Sequence, residues 1–284
     1  MPEGDTIYRT ARVLGRALTG RVVTRFESGY AVLTAAEDQE SFVGQTVTEV
    51  EARGKWLLVR FSDGRVLATH MLMSGSWHIY RPGERWQASR RDLRVLLETE
   101  AYVAAGFRIP VAKVFTEESL ERAGGIPRPE RDVLSGEFDA AAAVERLRGR
   151  TGEALADVLL NQRVLAGVGN VFKSEICFLA GLSPFVRMEQ LTEAEVRRVV
   201  ELAVKLLAAN VLEDSGDTVV TFQGRKRRTT HAADLGENLW VYGRRDEACR
   251  RCGEVVRRCL QGPDARVTYW CPRCQGDGVM DKQL

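Results

Sequence analysis

Two cysteine pairs, Cys249-Arg250-Arg251-Cys252 and Cys271-Pro272-Arg273-Cys274, decide the fold of the last part of this chain, and eighteen residues separate them. Each C-x-x-C sequence bends the backbone so that two sulfurs can face one ion. This spacing is typical of a tetrahedral zinc site with four thiolate ligands. The run Arg266-Val267-Thr268-Tyr269-Trp270, directly before the second pair, predicts a strand. We therefore expect Cys249, Cys252, Cys271 and Cys274 to bind one structural zinc ion at the end of a small hairpin.

Arginines within such a zinc ribbon are typical of a nucleic-acid-binding element. Two alternatives stay open at this point. One is a zinc clip that only holds the tail in place, and the other is a pair of disulfides, which the spacing fits less well than it fits metal. Cys177 falls in an apolar run that predicts a helix, where its thiol would pack in a core. Cys259 stands at a spacing that matches no ligand pattern.

The length of 284 residues predicts two domains, and the hydrophobic content of 44% is ample for their cores. The longest apolar runs fall far short of the roughly twenty residues that cross a bilayer. Glu3 and Asp5 occupy the place where a signal peptide would be basic. The prediction is a soluble, monomeric, cytoplasmic protein without a membrane partner, whose thiols stay reduced and available for metal.

The formal net charge of +2 excludes no class of partner, but the charge is unevenly distributed. Residues 222–284 hold thirteen Lys or Arg and eight Asp or Glu, a net of +5, so the rest of the chain carries −3. Basic charge around the predicted zinc site indicates a surface that meets phosphate. The densest cluster, Arg225-Lys226-Arg227-Arg228, is by itself more typical of a solvated loop.

The first half of the chain predicts a helix followed by short strands. Residues 5–19 place apolar side chains on one helical face, and Gly20 is a natural end. The strands are predicted at 22–26, 47–52, 56–61, 66–70 and 93–97. Asp63-Gly64 is a strong hairpin turn between two of them. This half is expected to form a β-sandwich flanked by a helix.

From about residue 131 the periodicity becomes helical. We predict a helix over 155–165, a tight turn at Ala166-Gly167-Val168-Gly169, and a second helix over 170–180 that ends at Gly181. Thr192 and Glu195 form a capping box that opens a long helix reaching about residue 212. Two helices joined by a glycine-rich turn resemble a helix-turn-helix element. The backbone at that turn, with Asn170 at the next helix N-terminus, would suit a phosphate.

The chain opens with Met1-Pro2-Glu3-Gly4. Removal of Met1 would leave Pro2 with a free secondary amine, and α-amino groups titrate near about 8, below lysine. Such an amine can attack a sugar C1′ and form an iminium, and an adjacent carboxyl group can transfer protons. The alternative is that these residues start the chain without any catalytic consequence.

Four separate stretches occur in order along the chain: Met1-Pro2-Glu3-Gly4, Arg53-Gly54-Lys55, the segment from Leu160-Asn161-Gln162 to Gly169-Asn170, and Tyr269-Trp270-Cys271-Pro272-Arg273-Cys274-Gln275. Together they resemble the formamidopyrimidine-DNA glycosylase and endonuclease VIII family, essentially from end to end. The resemblance implies an α+β multidomain fold with an N-terminal helix and β-sandwich over 1–130. A helix-two-turn-helix domain over 131–222, a basic linker over 223–245 and a zinc-ribbon β-hairpin over 246–284 would follow.

The resemblance also implies roles for individual residues. The catalytic residues would be Pro2 as nucleophile, Glu3 as general acid and base, and Lys55 as a phosphate contact that assists catalysis. DNA-binding residues would be Asn170, beside the lesion, Glu175, which supports the same site, and Arg266, on a second phosphate. In the run His70-Met71-Leu72-Met73, Met73 is the best match to a side chain inserted into the base stack. Ordinary core packing is the alternative for that run.

The implied function is a bifunctional DNA glycosylase and abasic-site lyase of base excision repair, acting on damaged DNA, duplex or single-stranded. A damaged base must be flipped out of the duplex before its sugar can be reached. Pro2 would form a Schiff base with that sugar, and β,δ-elimination would cut the strand. The one implied cofactor is a structural Zn²⁺, and a bacterial protein of this kind would associate with the nucleoid.

The chain departs from the family pattern in places that bear on substrate. Asp5-Thr6 stand where Pro-Glu is usual, so the glutamate that bears on base-side proton chemistry or substrate choice is missing at position 6. The region from Ala104 to Pro110 lacks the arginine segment of the oxoguanine branch, although Arg108 or Phe107 could substitute. Thr229-Thr230 is more similar to the endonuclease VIII branch. We therefore expect oxidised pyrimidines as substrates. The alternatives are an 8-oxoguanine or formamidopyrimidine glycosylase and a non-catalytic zinc-ribbon protein that binds damaged DNA.

Overall fold

The computed structural model describes residues 2–211, 227–230 and 238–276. The chain divides into two compact units. The described part of the first unit covers residues 2–128, and that of the second covers 129–211, 227–230 and 238–276. The predicted division of the second unit into a helical domain, a basic linker and a hairpin domain stays a proposal, since part of the linker lies outside the described residues.

The helices are α1 (Gly4–Leu18), α2 (Ala31–Gln39), α3 (Glu117–Arg122), α4 (Ala140–Arg148), α5 (Leu155–Leu160), α6 (Asn170–Ala180), α7 (Glu193–Ala209) and α8 (Pro272–Gln275). The strands are β1 (Val23–Ser28), β2 (Val47–Arg53), β3 (Trp56–Phe61), β4 (Arg65–His70), β5 (Ser76–Tyr80), β6 (Leu93–Thr99), β7 (Val103–Phe107), β8 (Val111–Thr116), β9 (Arg257–Gln261) and β10 (Arg266–Trp270). No helix among the described residues is both long and apolar enough to cross a membrane.

The first unit contains two four-stranded antiparallel sheets, with strand orders β1-β6-β7-β5 and β2-β3-β4-β8. The apolar face of α1 contributes Ile7, Ala11 and Leu14 to a core that both sheets share, because residues four apart fall on one side of a helix. The predicted N-terminal helix and β-sandwich are confirmed, and Asp63-Gly64 turns the chain between β3 and β4 as predicted.

Three strands, β5, β7 and β8, were not predicted from the sequence, although β7 is the central strand between β5 and β6. Its middle, Ala104-Ala105-Gly106, lacks the β-branched residues that mark strands. A Cβ on Gly106 would lie 2.5 Å from Ile109 Cδ1 and 3.4 Å from the Trp77 ring, so a larger residue there would require the Ile109 side chain to shift. The strand is held by its neighbours rather than by local preference.

The second unit packs α4 to α7 around its own core. α6 matches its predicted bounds, and Gly181 ends it at φ +74°, in the left-handed region that favours glycine. The capping box of Thr192 and Glu195 opens α7, also as predicted. Cys177 is fully buried in this core.

The predicted helix over 155–165 was too long, because α5 ends at Leu160. Side chains of the following residues bind backbone groups that a continuing helix would use. Asn161 Oδ1 accepts from the Arg163 amide at 3.0 Å, and Gln162 Nε2 donates to the Leu160 carbonyl at 2.9 Å. α7 likewise ends at Ala209, where the Asn210 side chain donates to the Leu206 carbonyl at 2.8 Å.

The antiparallel hairpin of β9 and β10 carries the predicted strand at 266–270. Arg225 and Lys226, the first half of the predicted basic cluster, lie outside the described residues. Arg227 stands over the ring of Phe172, with its guanidinium carbon 5.4 Å from the ring centre. The Arg228 amide donates to Asn210 Oδ1 at 2.9 Å.

Candidate functional site

The N-terminal segment leads directly into α1. Glu3 is the N-cap residue, and its carbonyl accepts from the Thr6 and Ile7 amides at 3.0 and 3.1 Å. Its side chain is fully buried, and so is that of Asp5, two residues later. Arg9, one turn further on, approaches the Asp5 carboxylate at 3.5 Å. Asp5 therefore places a buried carboxylate directly before Thr6, the position at which a glutamate is usual.

Lys55 occupies the tip of the hairpin between β2 and β3. Arg53 pairs with Trp56, which leaves a two-residue turn of Gly54 and Lys55. Gly54 has φ +62°, and Lys55 is not among the residues with positive φ, a combination that fits a type II′ turn. The turn thus requires the glycine of Arg-Gly-Lys, and it presents Lys55 at the end of the β2–β3 hairpin.

Pro2 and Glu3 lie at the same end of the first unit as this turn. The Gly20 amide donates to the Val47 carbonyl at 2.8 Å, and a Cβ on Gly15 would lie 3.8 Å from Val50 Cβ. α1 therefore runs antiparallel to β2. The twelve residues from Gly15 back to Glu3 span about 18 Å of helix, and β2 covers about 10 Å from Val50 to its end at Arg53. The helix is therefore long enough to bring Glu3 to the end of β2 that carries the turn.

His70 ends β4 at this same end, paired with Trp56. Its ring meets the Trp56 ring edge to face at 5.1 Å, and its Nδ1 accepts from the Leu72 amide at 3.1 Å. Burial, and then the positive charge of Lys55, lower the pKa of His70 to about 4. The ring is therefore neutral at physiological pH. No role for His70 was predicted from the sequence.

The loop after β4 presents two apolar side chains to solvent. Met73 is 71% exposed and Leu72 is 46% exposed, whereas Met71 is buried in the core. Leu72 has φ +43°, a left-handed conformation that costs a residue with a side chain roughly 1–2 kcal/mol. Exposed apolar groups on a strained loop are typical of a functional surface. Of the predicted run, Met73 is the most exposed residue.

A second loop lies against this one. The Ser74 hydroxyl donates to the Arg108 carbonyl at 3.3 Å, and a Cβ on Gly75 would lie within 3.1 Å of both Met71 and Ile109. The side chain of Arg108 is 61% exposed, and its backbone has φ +47°. Phe107 is fully buried, so of the two candidate substitutes only Arg108 stands at the surface beside Met73.

In the second unit, Asn170 begins α6 directly after the glycine-rich turn. Gln162 organises this turn: its Oε1 accepts from the Gly167 amide at 3.0 Å, and its Nε2 donates to the Val168 carbonyl at 3.0 Å. Asn170 Oδ1 is buried and accepts no hydrogen bond from any described residue. The partial positive charge of a helix N-terminus favours an anion at this place.

Glu175 is fully buried one turn further along α6. Its carboxylate accepts from the Trp240, Val241 and Tyr242 amides at 2.8 to 2.9 Å, and also from the Thr229 hydroxyl. Burial raises the pKa of Glu175, while these four hydrogen bonds favour the charged form. The carboxylate thus holds two neighbouring segments on α6, and it faces protein rather than solvent.

The four predicted zinc ligands come together at the base of the hairpin. The Sγ atoms of Cys249, Cys252, Cys271 and Cys274 all lie within 4.8 Å of one another. The pair Cys252 and Cys271 is 3.5 Å apart, and the pair Cys249 and Cys274 is 4.0 Å apart. A tetrahedral zinc with Zn–S bonds of about 2.3 Å needs sulfurs about 3.8 Å apart, so the donor set fits this ion.

The thiol chemistry agrees with a cation at this position. Burial, and then the neighbouring sulfurs, raise the pKa of Cys274, because crowded thiolates repel one another. A bound divalent ion relieves that repulsion. Among the described residues, Cys259 is not part of this four-cysteine cluster. Burial raises the pKa of its thiol.

Arg266 begins β10, and its side chain is 51% exposed, with Asp264 at 3.7 Å. The predicted site residues are therefore distributed over both units. Pro2, Glu3, Lys55 and Met73 belong to the first, and Asn170, Glu175, Arg266 and the four cysteines belong to the second.

Two family models match the chain. A model described as the formamidopyrimidine-DNA glycosylase N-terminal domain matches residues 1–108, and one described as the formamidopyrimidine-DNA glycosylase H2TH domain matches residues 130–222. A probable endonuclease 8 2 of Streptomyces coelicolor is 41% identical over 278 residues, which are 97% of this chain and 94% of that protein. A DNA-(apurinic or apyrimidinic site) lyase of Mycolicibacterium smegmatis is 35% identical over 279 residues, 97% of this chain and 99% of that protein.

Among solved structures, the formamidopyrimidine-DNA glycosylase of Lactococcus lactis bound to abasic-site DNA matches with a TM-score of 0.77 at 20% identity, covering 97% of this chain and all of that one. A complex of a Lactococcus lactis glycosylase with DNA that contains an oxidised pyrimidine matches over the same shares, with a TM-score of 0.79 at 21% identity. At these identities the solved structures support the fold alone.

Proposed function

This chain belongs to the formamidopyrimidine-DNA glycosylase and endonuclease VIII family, and from that membership we propose that it is a bifunctional DNA glycosylase and abasic-site lyase of base excision repair. Its partner in this proposal is damaged DNA. The observation that carries the proposal is the fully buried Glu3 directly after Pro2, at the same end of the first unit as Lys55.

The reaction uses the N-terminal amine. Once Met1 is removed, the nitrogen of Pro2 attacks C1′ of a nucleotide flipped out of the duplex. The new C–N bond replaces the glycosidic bond, and the damaged base leaves with the bonding electrons and takes up a proton. Glu3 serves as the general acid and base for these transfers, and ring opening gives an iminium between Pro2 and the sugar.

Strand cleavage follows from the iminium. Loss of a proton from C2′ expels the 3′ phosphate, and a second elimination expels the 5′ phosphate. Lys55, at the tip of its hairpin, holds a phosphate of the flipped nucleotide. No redox cofactor or nucleotide takes part in these steps.

The DNA backbone is held by Asn170 and Arg266. Asn170 is the first residue of α6, where its side-chain NH₂ group can donate to a phosphate at the helix N-terminus. Arg266 is exposed on β10, where it can hold a second phosphate. Such contacts position the duplex without reading its sequence. Met73, and Leu72 beside it, fill the gap left by the flipped nucleotide.

A structural Zn²⁺ on Cys249, Cys252, Cys271 and Cys274 holds the hairpin that carries Arg266. Structural zinc contributes folding free energy to such small elements directly. Glu175 supports the site indirectly, because it fixes Trp240, Val241 and Tyr242 against the helix that begins with Asn170.

The preferred substrates in this proposal are oxidised pyrimidines. The region from Ala104 to Pro110 supports this, because residues 104–107 belong to the buried strand β7 and the arginine segment typical of the oxoguanine branch is missing. The second candidate is a glycosylase directed at 8-oxoguanine or formamidopyrimidine. It is favoured by one observation, the exposed Arg108 beside the Met73 loop.

A lesion panel under borohydride tests these assignments. Duplexes with an abasic site, thymine glycol or 8-oxoguanine opposite C are incubated with the protein and reduced, and single-stranded versions run in parallel. The proposal expects a covalent adduct on abasic DNA and faster trapping on thymine glycol than on 8-oxoguanine. The reverse order would favour the second candidate. Binding to abasic DNA without any adduct would leave only a non-catalytic damage-binding protein.

A further inference from the structure

The ammonium group of Lys173 is buried between α6 and the hairpin. The residue is 1% exposed, and its Nζ donates to the Val267 carbonyl at 2.9 Å and to the Thr268 hydroxyl at 2.8 Å. Lysine is almost never fully buried unless its charge is satisfied, because the ammonium loses its hydration. Both of these partners are consecutive residues of β10, so the lysine joins the helix to that strand.

The next residue makes a second link between the same elements. Ser174 is fully buried, and its hydroxyl donates to the Asn170 carbonyl at 3.1 Å. The same oxygen accepts from the Tyr269 amide at 3.3 Å. Lys173 and Ser174 therefore tie three successive residues of β10 to the first turn of α6.

The two proposed phosphate contacts lie at the ends of this hydrogen-bonded path. Asn170 is the first residue of α6, three positions before Lys173, and Arg266 directly precedes Val267. We propose that Lys173 is a positioning residue that sets Arg266 at the distance from Asn170 at which both hold phosphates of one DNA backbone. This inference rests on the proposed function.

A displaced Arg266 would miss its phosphate, because the spacing of phosphates along a strand is fixed and small misplacements weaken a clamp strongly. The burial of Lys173 distinguishes its role from a direct phosphate contact, which needs an ammonium group at the surface.

The hairpin has other anchors, so a variant at Lys173 is expected to fold. Gln261 Nε2 donates to the Pro184 carbonyl at 3.0 Å, and the Trp270 ring on β10 meets the Phe185 ring edge to face at 4.9 Å. The zinc ligands make none of the contacts of Lys173 described above. Zinc content and melting temperature therefore report whether Lys173→Met has disturbed more than the position of β10.

A double-mutant cycle tests the inference on the full chain. The probe is a duplex with a tetrahydrofuran abasic analogue, and affinity is measured across a range of salt concentrations for Lys173→Met, Arg266→Ala and the double variant. We expect each single variant to weaken binding about tenfold and to lower the salt slope by about one. The double variant is expected to match Arg266→Ala in both quantities, because Lys173 acts through Arg266.

Conservative variants complete the test. Lys173→Arg keeps a cationic donor but must place a larger guanidinium in the same buried space, so it is expected to lose less affinity than Lys173→Met. Thr268→Val removes one acceptor only and should give a smaller loss than Lys173→Met. If the affinity losses of the two single variants multiply in the double variant, and its salt slope is lower by about two, Lys173 contacts a phosphate directly and the inference is overturned.

If Lys173→Met bound the tetrahydrofuran duplex with wild-type affinity, the inference would be overturned as well. Failure of the proposed function is distinguishable, because then the wild-type protein itself would not prefer the abasic duplex and would form no adduct with abasic DNA under borohydride.

Discussion

His70 Nδ1 accepts a hydrogen bond from the Leu72 amide across 3.1 Å, and this contact fixes the start of the loop that presents Met73. An imidazole nitrogen can accept only when it carries no proton. The neutral ring, the strained backbone of Leu72 and the exposed Met73 are therefore parts of one arrangement. Lys55, whose charge helps keep the ring neutral, stands next to it on the β2–β3 hairpin.

The first prediction concerns the titration of His70. The chain has three histidines, so their ring signals can be assigned by NMR with a His70→Asn variant. The His70 signal is expected to titrate with a pKa of about 4, below its ordinary value of 6.5. Lys55→Met is expected to raise this pKa, while burial keeps it below 6.5. A midpoint near 6.5 in the wild type would contradict the buried, hydrogen-bonded ring.

The same shift predicts how stability depends on pH. Because the folded-state pKa of His70 is depressed, the unfolded chain binds more protons between pH 6.5 and about 4. The contribution of His70 is fully present above pH 6.5 and is lost as pH falls towards 4. His70→Asn keeps an acceptor for Leu72 but does not titrate, so its stability should fall less steeply over this window in urea unfolding.

A second prediction separates the two methionines of the loop. Met71→Ala removes a buried side chain and should lower the free energy of unfolding by about 2–5 kcal/mol. Met73→Ala should leave stability within about 0.5 kcal/mol, because the side chain is exposed. If Met73 fills the gap in the DNA, Met73→Ala nevertheless loses activity on duplex substrates and keeps trapping on single-stranded abasic DNA. Wild-type duplex activity would remove Met73 from the mechanism.

The third prediction concerns the buried carboxylate of Glu175. Glu175→Gln places an NH₂ group among three backbone donors and should cost about 1–3 kcal/mol of unfolding free energy, since groups are left unsatisfied. Glu201, exposed on α7, provides a matched control, and Glu201→Gln should change stability by less than about 0.5 kcal/mol. Equal stability of the two variants in chemical denaturation would show that the 240–242 segment does not depend on this carboxylate.

The fourth prediction concerns metal. Cys271→Ser should release zinc and loosen the hairpin, because three thiolates and a hydroxyl bind the ion more weakly than four thiolates. Cys259→Ser, in the same hairpin, should retain one zinc per chain. Atomic absorption on both purified variants checks this, and stoichiometric zinc in Cys271→Ser would contradict the four-thiolate site.

Local sequence signals predicted the parts of the fold that local chemistry decides. Gly181 and the capping box of Thr192 and Glu195 delimit their helices, and Asp63-Gly64 turns its hairpin. The central strand Val103–Phe107 was not predictable in this way, because its Ala and Gly residues carry no local strand signal and Gly106 packs closely against Trp77 and Ile109. The end of α5 was missed because the side chain of Gln162 competes for backbone groups.

The same distinction between local and non-local signals applies to the site residues. The cysteine pairs predicted their cluster from spacing alone. Local chemistry offered a role for Pro2 and Asn170 that the family resemblance then specified, whereas Lys55 and Arg266 came from the resemblance. The contacts of Lys173 join residues 94 and 95 positions apart. No local pattern could predict these contacts. Buried lysines are also rare, so Lys173 would be expected at the surface.

The central claim is that the Pro2 nitrogen becomes covalently bound to deoxyribose. The most direct measurement is peptide mapping by mass spectrometry of the borohydride-reduced adduct on abasic DNA, with a protein that keeps a permanent N-terminal tag as the matched control. We expect a processed N-terminus, a sugar remnant on Pro2, and neither adduct nor strand cleavage for the tagged protein. An adduct on a lysine, or full-speed cleavage by the tagged protein, would contradict it.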